Sequence, residues 1–182
     1  MTDAPAPATP AGAATRPEAA ADRRVWDIAA TVCDPEVPVL TLEDLGILRS
    51  ARATEHGAIV EITPTYSGCP AVGRMRDDVT DALTERGYTD VSVRVVLSPA
   101  WTTDWMTEDG KRKLEEYGIA PPDHSHRTPG PRFGGTRVAL SVKCPHCDSL
   151  DTREVTRFGS TACKAHYVCR ACLEPFDYFK VL

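Results

Sequence analysis

Apolar side chains recur at helical spacing in three stretches of the chain. The pattern predicts helices over residues 18–32, about 70–86 and roughly 104–117. In the first stretch, four apolar residues stand at i, i+3, i+4 and i+7: Val25, Ile28, Ala29 and Val32. Asp34-Pro35 should end this helix, because the residue before a proline is displaced from the helical region.

Alternation of apolar and polar residues separates these helices and predicts strands over residues 46–52, 57–63 and 91–97. In the last strand, four apolar side chains share one face: Val91, Val93, Val95 and Leu97. The order α-β-β-α-β-α predicts a small domain of the α+β class over about residues 18–118.

Three further segments lie outside this domain. Residues 1–17 are mostly Ala, Pro and Thr and predict a disordered tail, because they offer no large apolar side chain to bury. Residues 119–136 are rich in Pro and Gly and predict a linker. Residues 137–182 hold five of the seven cysteines and predict a separate unit, with strands over 138–142, 153–158 and 176–179.

Charge and composition narrow the classes of function. The formal net charge of −5 divides into −7 over residues 1–136 and +2 over residues 137–182, so neither part predicts nucleic-acid binding. We find neither a secretory signal pattern nor an apolar run near the roughly 18 residues of a membrane span. Seven cysteines in such a chain favour metal or thiol chemistry over disulfides. We therefore expect a cytoplasmic protein.

Two paired cysteine motifs carry the strongest chemical signal. Cys144-Pro-His-Cys147 is followed, after 21 intervening residues, by Cys169-Arg-Ala-Cys172. Each motif places two thiolates on one side of a tight turn, and together they form the tetrahedral set that Zn²⁺ prefers. A segment of this size has a small core, and metal binding can supply on the order of 10 kcal/mol of folding free energy. The pattern predicts a zinc ribbon, with a redox dithiol or iron–sulfur ligation as the alternatives.

Three potential ligands of the ribbon are surplus to a closed four-thiolate site: His146, Cys163 and His166. Packing or solvent exposure is the simpler interpretation for all three. A fifth thiol beside the zinc could also take part in metal exchange, and we keep this alternative for Cys163.

Cys69 lies in a loop between a predicted strand and the second helix. Pro70 suits the first helical position, which would make Cys69 the N-cap, where free N–H groups and the helix dipole favour a thiolate. The alternative is a small buried capping residue. Cys33 is expected to be a half-buried helix cysteine. His56, the only histidine within the α+β domain, is the candidate base if Cys69 were the nucleophile of a thiol enzyme.

Two tryptophans, Trp101 and Trp105, stand close together in residues 99–106. Either they cover the core or they form a partner-binding patch, since tryptophan is enriched in binding hot spots. The patch is slightly favoured for one of them.

Several short motifs resemble a known family. Residues 34–36 (Asp-Pro-Glu), 44–46 (Asp-Leu-Gly) and 65–70 (Thr-Tyr-Ser-Gly-Cys-Pro), with the strand at 91–97, resemble the domain of SufT-type iron–sulfur assembly factors. This domain followed by a four-cysteine ribbon resembles the PaaD (PaaJ) family, and the resemblance covers about residues 22–180. Its most specific stretches are 62–70, 99–105 and 159–164.

The PaaD resemblance implies an accessory subunit of the phenylacetyl-CoA epoxidase system of aerobic phenylacetate catabolism. Such subunits are thought to mature or insert the iron or iron–sulfur centres of the oxygenase or its reductase, rather than to perform the oxidation. By this resemblance Cys69 is the reactive thiol, with Asp34, Glu36 and Thr65 around it. A transient iron or iron–sulfur unit would need further ligands from a homodimer or from the client protein.

The sequence therefore leaves four hypotheses. The first is a maturation factor, and the second is a structural scaffold in which the ribbon and the tryptophans hold a complex together. The third, a nucleic-acid-binding ribbon, is disfavoured by charge, and the fourth, a thiol enzyme that uses Cys69, has the least support.

Overall fold

The computed structural model describes residues 12–122 and 142–181 and confirms the α+β class. The helices are α1 (Ala20–Ala29), α2 (Val72–Glu85) and α3 (Glu108–Glu116), with a 3-10 turn at Thr103–Trp105. The strands are β1 (Leu48–Ala53), β2 (Gly57–Ile62), β3 (Asp90–Val95), β4 (Ile119–Ala120), β5 (Thr152–Thr156), β6 (Lys164–Cys169) and β7 (Pro175–Phe179). No helix among the described residues combines the length and the apolar character that crossing a membrane requires.

The first sheet has the order β1-β2-β3. β1 and β2 form an antiparallel hairpin, whereas β2 and β3 run parallel and are connected through α2. α1 and α2 bury their apolar faces on this sheet through Val25, Val79 and Leu83, which are all fully buried. The predicted order α-β-β-α-β-α is therefore confirmed.

The first helix is shorter than the periodicity predicts. It ends at Ala29 rather than at residue 32, and the chain then folds into turns. One oxygen of Asp34 accepts hydrogen bonds from the backbone N–H groups of Glu36 (2.7 Å) and Val37 (3.0 Å), which fixes a turn that competes with helix. Cys33 consequently lies outside the helix and is exposed. The prediction that it is a half-buried helix residue is wrong.

The second sheet has the order β4-β7-β6-β5 and contains the ribbon. β4 pairs in parallel with β7, with Ile119 opposite Asp177, so the first residues of the predicted linker are a strand of this sheet. β5 spans 152–156 instead of 153–158. The predicted strand at 138–142 lies outside the described residues except for Val142, as does most of the linker.

One end of the ribbon packs into the hydrophobic core of the α+β domain, whereas the end with the cysteine turns has a small core of its own. Phe179 is 1% exposed and Cys163 is 5% exposed, and both belong to the core that also contains Trp101. The rings of Phe179 and Trp101 meet edge to face at a centroid distance of 6.3 Å. The predicted ribbon unit is therefore docked on the α+β domain through one end of its sheet.

The two tryptophans cover the core. Trp101 and Trp105 are 6% and 5% exposed, and the Trp101 indole N–H donates to the Leu45 carbonyl at 2.9 Å. Gly46 has a φ of +67°, and a Cβ there would lie 2.3 Å from the Trp105 carbonyl oxygen, so only glycine fits this approach. The favoured partner patch at one tryptophan is wrong, because neither side chain is available to a partner.

Part of the predicted disordered tail also contacts the domain. Arg49 donates through Nη2 to the Gly12 carbonyl at 2.6 Å and lies 3.9 Å from the centroid of the Trp105 ring. Ala13 and Ala14 pack against the core. Residues 1–11 lie outside the described residues. The prediction of a disordered tail therefore stays a prediction for residues 1–11.

Candidate metal centre and interdomain thiol site

The four predicted ligands converge at one end of the ribbon. The Sγ atoms of Cys144, Cys147, Cys169 and Cys172 all lie within 4.8 Å of one another. The Cys144–Cys172 and Cys147–Cys169 sulfur distances are 3.8 and 3.6 Å. A tetrahedral zinc with Zn–S bonds of about 2.3 Å requires sulfur–sulfur distances of about 3.8 Å. The ligand set and its geometry therefore fit Zn²⁺.

The two cysteine turns repeat the same backbone pattern. The N–H of Cys144 donates to the Ser149 carbonyl and that of Cys169 to the Glu174 carbonyl, both at 3.0 Å. The residue after each second cysteine adopts a left-handed conformation, with φ of 61° at Asp148 and 69° at Leu173. Such a conformation costs free energy for residues other than glycine. The repeated geometry indicates two matched halves of one metal site.

Backbone N–H groups point at the ligand sulfurs. Those of Ala171 and Cys172 lie 3.4 and 3.5 Å from the Cys169 sulfur, and that of His146 lies 3.4 Å from the Cys144 sulfur. The hydrogen bond from Cys172 is the largest cause that lowers the pKa of Cys169, to about 6. These donors stabilise a thiolate, which is the form that binds metal.

The surplus residues of the ribbon are not zinc ligands in this structure. His166 lies on β6, with Nδ1 3.4 Å from an oxygen of Asp177. His146 is exposed, next to Gly118. Cys163 precedes β6 and Cys169 ends it, so the strand separates Cys163 from the ligand turns by about 20 Å. Exchange between Cys163 and a bound zinc is therefore excluded by distance.

Cys69 lies before α2 but does not cap it. The N-cap is Ala71 and the helix begins at Val72, because Cys69 and Pro70 form a separate turn in which the Cys69 N–H donates to the Tyr66 carbonyl at 3.2 Å. Burial raises the pKa of the half-buried thiol, and although a hydrogen bond from the Ala71 backbone opposes this, the charges of Glu36, Asp34 and Cys163 raise it further. The prediction of a thiolate favoured by the helix dipole is wrong.

Residues of three segments lie close enough to Cys69 for their charges or hydrogen bonds to act on it. The turn with Asp34 and Glu36 and the loop with Tyr66 belong to the α+β domain, whereas Cys163 comes from the ribbon. Burial raises the pKa of Cys163, and the charges of Glu36 and Asp34 raise it further. We call the group of Asp34, Glu36, Cys69 and Cys163 the interdomain thiol site.

Sequence reasoning missed two neighbours of this site. Tyr66 shares a hydrogen bond with Cys69, and its pKa is raised by burial and then by the charges of Cys69, Glu36 and Cys163. Burial raises the pKa of Asp34 and of Glu36, and the charge of Lys164 partly opposes this rise. Lys164 is itself only 6% exposed and lies 3.5 Å from an Asp177 oxygen. In the sequence, only the position of Lys164 next to Cys163 could have indicated that this lysine lies near the site.

The remaining predicted residues play smaller parts. Thr65 is half-buried on the same loop as Cys69. His56 precedes β2 whereas Cys69 follows it, so the two lie at opposite ends of a strand about 20 Å long. His56 therefore cannot act as the base for this thiol, which removes the geometric basis of a Cys69–His56 enzyme.

The electrostatic neighbours of Cys69 predict its pH dependence. Alkylation of this thiol is expected to become fast only at a pH above the usual thiol range, because burial and nearby negative charges raise its pKa. Glu36→Gln should shift the midpoint to lower pH, since it removes one of those charges. The rate at Cys69 is measured by mass spectrometry between about pH 6 and pH 10. Glu108→Gln on α3 is the control, and a wild-type midpoint below the usual range would contradict this prediction.

Two family models divide the chain between them. A model described as "Iron-sulfur cluster assembly protein" matches residues 22–95, and one described as "PaaD zinc beta ribbon domain" matches residues 128–180. A putative 1,2-phenylacetyl-CoA epoxidase subunit of Escherichia coli (strain K12) is 45% identical over 162 residues, covering 87% of this chain and 92% of the relative. The chain belongs to the PaaD family.

Two further similarities concern the first domain of this PaaD-family chain. A crystal structure of a domain of unknown function (DUF59) from Bacillus anthracis is 28% identical and covers 52% of this chain and 92% of its own, with a TM-score of 0.49. The "Fe-S protein maturation auxiliary factor SufT" of Staphylococcus aureus (strain USA300) is 33% identical over 85 residues, covering 46% of this chain and 96% of the relative. The match to this factor confirms the expected resemblance to SufT-type proteins.

The regions matched by the two family models each contain part of the interdomain thiol site. Asp34, Glu36 and Cys69 fall within the iron–sulfur assembly match, and Cys163 falls within the ribbon match with the four zinc-type ligands. The site is thus made from both halves of the family architecture.

Proposed function

We propose that this chain is a non-catalytic accessory subunit of the phenylacetyl-CoA epoxidase system that matures or inserts iron or iron–sulfur centres in the oxygenase or its reductase. The observation that carries this proposal is the interdomain thiol site, where thiols and carboxylates of an assembly-type domain and a PaaD ribbon lie close enough to affect one another's pKa. The names of its relatives, a putative epoxidase subunit and a SufT maturation factor, support the same assignment. The partners are the other subunits of that system.

The four ribbon cysteines hold one structural zinc in this proposal. Four thiolates close the coordination sphere, so no position remains for a substrate, and the ion contributes folding free energy to the ribbon. The ribbon in turn holds Cys163 against the α+β domain. The zinc therefore stabilises the thiol site indirectly, through the fold of the ribbon.

Iron is the cargo of the interdomain thiol site. A thiol must lose its proton to bind iron, and the raised pKa of Cys69 and of Cys163 means that iron displaces protons that the free site retains. Such competition weakens the binding, which suits a site that passes its metal on. When ligands of the client replace the sulfurs, the thiols recover their protons.

The proposal predicts a loss of cofactor in the client proteins. The oxygenase and the reductase are produced together with this chain, without it, or with Cys69→Ser, and their iron and acid-labile sulfide are then measured after purification. We expect the Cys69→Ser sample to match the sample that lacks the chain, with occupancy lowered several-fold. Cys33→Ser replaces an exposed thiol outside the site and is the matched control.

The outcome of this experiment separates the two functions that remain. Full occupancy without the chain contradicts maturation. In the alternative function, a structural scaffold without metal delivery, Cys69→Ser leaves the epoxidase active, whereas disruption of the ribbon inactivates it. The scaffold is favoured by one observation, namely that the four ribbon cysteines are the only group among the described residues that brings three or more ligand atoms within 4.8 Å of one another.

A further inference from the structure

β3 is an edge strand of the first sheet with one open side. In the order β1-β2-β3, its only strand neighbour among the described residues is β2, with which it runs parallel. The Val96 N–H donates to the Ile62 carbonyl at 2.9 Å, so the alternate residues of β3 that share this orientation face β2. The N–H and C=O groups of Val91, Val93 and Val95 therefore face the open side, where a further strand can pair.

One face of β3 carries an apolar row that is only partly covered. Val91, Val93 and Val95 stand in register with buried residues of β2, on the face of the sheet that α2 contacts. Val93 is 8% exposed, but Val95 is 39% exposed. Leu97, which follows the strand, is 58% exposed. The open side of β3 thus leaves apolar surface uncovered next to unpaired backbone groups.

The opposite face of β3 carries one carboxylate and one guanidinium. Asp90 and Arg94 are both exposed, and within the described part of the chain neither side chain makes an ion pair or a hydrogen bond. Glu61 stands beside Arg94 in the parallel register, but its carboxylate accepts the Ser50 hydroxyl at 2.7 Å. Opposite charges near the two ends of one strand are complementary to a second, antiparallel copy of the same strand.

We propose that the chain forms a homodimer in which β3 pairs antiparallel with the β3 of a second copy, about a two-fold axis at Ser92. In this register Asp90 lies opposite the partner subunit's Arg94, at positions without backbone hydrogen bonds, where facing side chains are closest. Val91 lies opposite the partner subunit's Val93, and their outward backbone groups exchange two hydrogen bonds. Two-fold symmetry repeats both pairs, and the two first sheets become one sheet of six strands.

The orientation of the backbone restricts the register of this pairing. Only odd-numbered residues of β3 face the open side, so a shift of one residue would break every hydrogen bond between the copies. A shift that moves the axis to Val93 keeps those bonds but places Arg94 opposite Ser92 and leaves both charges unpaired. The register centred on Ser92 satisfies backbone and charge together, and it also places Val95 beside the partner subunit's Thr89.

The test is charge reversal at both ends of the register, followed by analytical ultracentrifugation of the full-length, zinc-loaded protein. Wild type should dimerise at micromolar concentrations, because one strand pair is a small interface. Asp90→Arg places arginines opposite each other twice, and Arg94→Asp does the same with carboxylates. Each should raise the dissociation constant of the dimer by about tenfold or more. Arg52→Asp, an exposed reversal on β1, is the matched control.

A mixture of the two variants distinguishes this register from a general effect of charge. One arginine-rich strand and one acidic strand restore opposite charges at both positions, so the equimolar mixture should dimerise as wild type does. Wild type that stays monomeric at all concentrations would overturn the interface. So would a dissociation constant that neither reversal changes, or a mixture that associates no better than each variant alone.

Amide hydrogen exchange of wild type tests the same edge without any substitution. The N–H groups of Val91 and Val93 should become protected as the concentration rises from monomer to dimer. Protection that appears only when the other epoxidase subunits are added would assign the edge to a strand of a client and overturn the pairing of two copies. The interface does not depend on the proposed function, whose own test is the iron content of the client proteins.

Discussion

Removal of the zinc is expected to unfold residues 142–181 and to open the interdomain thiol site. The four sulfurs, within 4.8 Å of one another, would repel as thiolates without a cation, and a ribbon of this size depends on metal binding worth on the order of 10 kcal/mol. Cys163 and Phe179 would leave the shared core with the ribbon. Amide hydrogen exchange of β6 and β7 in chelated and in zinc-loaded protein measures the effect.

Two controls accompany the zinc experiment. Readdition of zinc should restore the exchange protection, and Cys33→Ser should keep its zinc and its protection, because that thiol is exposed and belongs to neither cysteine turn. Cys169→Ser should behave like the chelated protein. If β6 and β7 stay protected after complete removal of the metal, the ribbon is held by its own core and the structural role of zinc is wrong.

Phe179→Ala should be the most damaging single substitution at the domain boundary. The side chain is 1% exposed and meets Trp101 edge to face, so its truncation leaves a cavity between the ribbon and the α+β domain. Truncations of buried phenylalanine cost about 3–5 kcal/mol of unfolding free energy. Denaturant unfolding followed by tryptophan fluorescence measures this loss. Alkylation of Cys163 should accelerate at the same time, since its cover is loosened.

Phe158→Ala is the matched control for this substitution. Phe158 belongs to the same ribbon but is 66% exposed, and it lies 4.6 Å from the Lys180 ammonium. Its loss should cost less than about 1 kcal/mol. Equal effects of the two substitutions would mean that the ribbon is not anchored through Phe179.

The sequence was informative wherever a property depends on local spacing. Periodicity predicts three helices and the three strands of the first sheet, because burial on one face imposes a period of about 3.6 or 2 residues. The ends of the elements were less well predicted. α1 stops at Ala29 because the Asp34 side chain satisfies backbone N–H groups in a turn, and α2 starts at Val72 because Cys69 and Pro70 form a turn of their own.

The thiol site shows what only the tertiary structure decides. The pairing of cysteines in each C-x-x-C motif is local, so the sequence determined the four zinc-type ligands. Cys69 and Cys163 are 94 positions apart and lie in different family matches, and no local pattern relates them. They come within range of each other's charge because Phe179 and Trp101 dock the ribbon on the domain. The same docking covers Trp101 and makes β4 a ribbon strand, and burial together with neighbouring charge raises the pKa of both thiols.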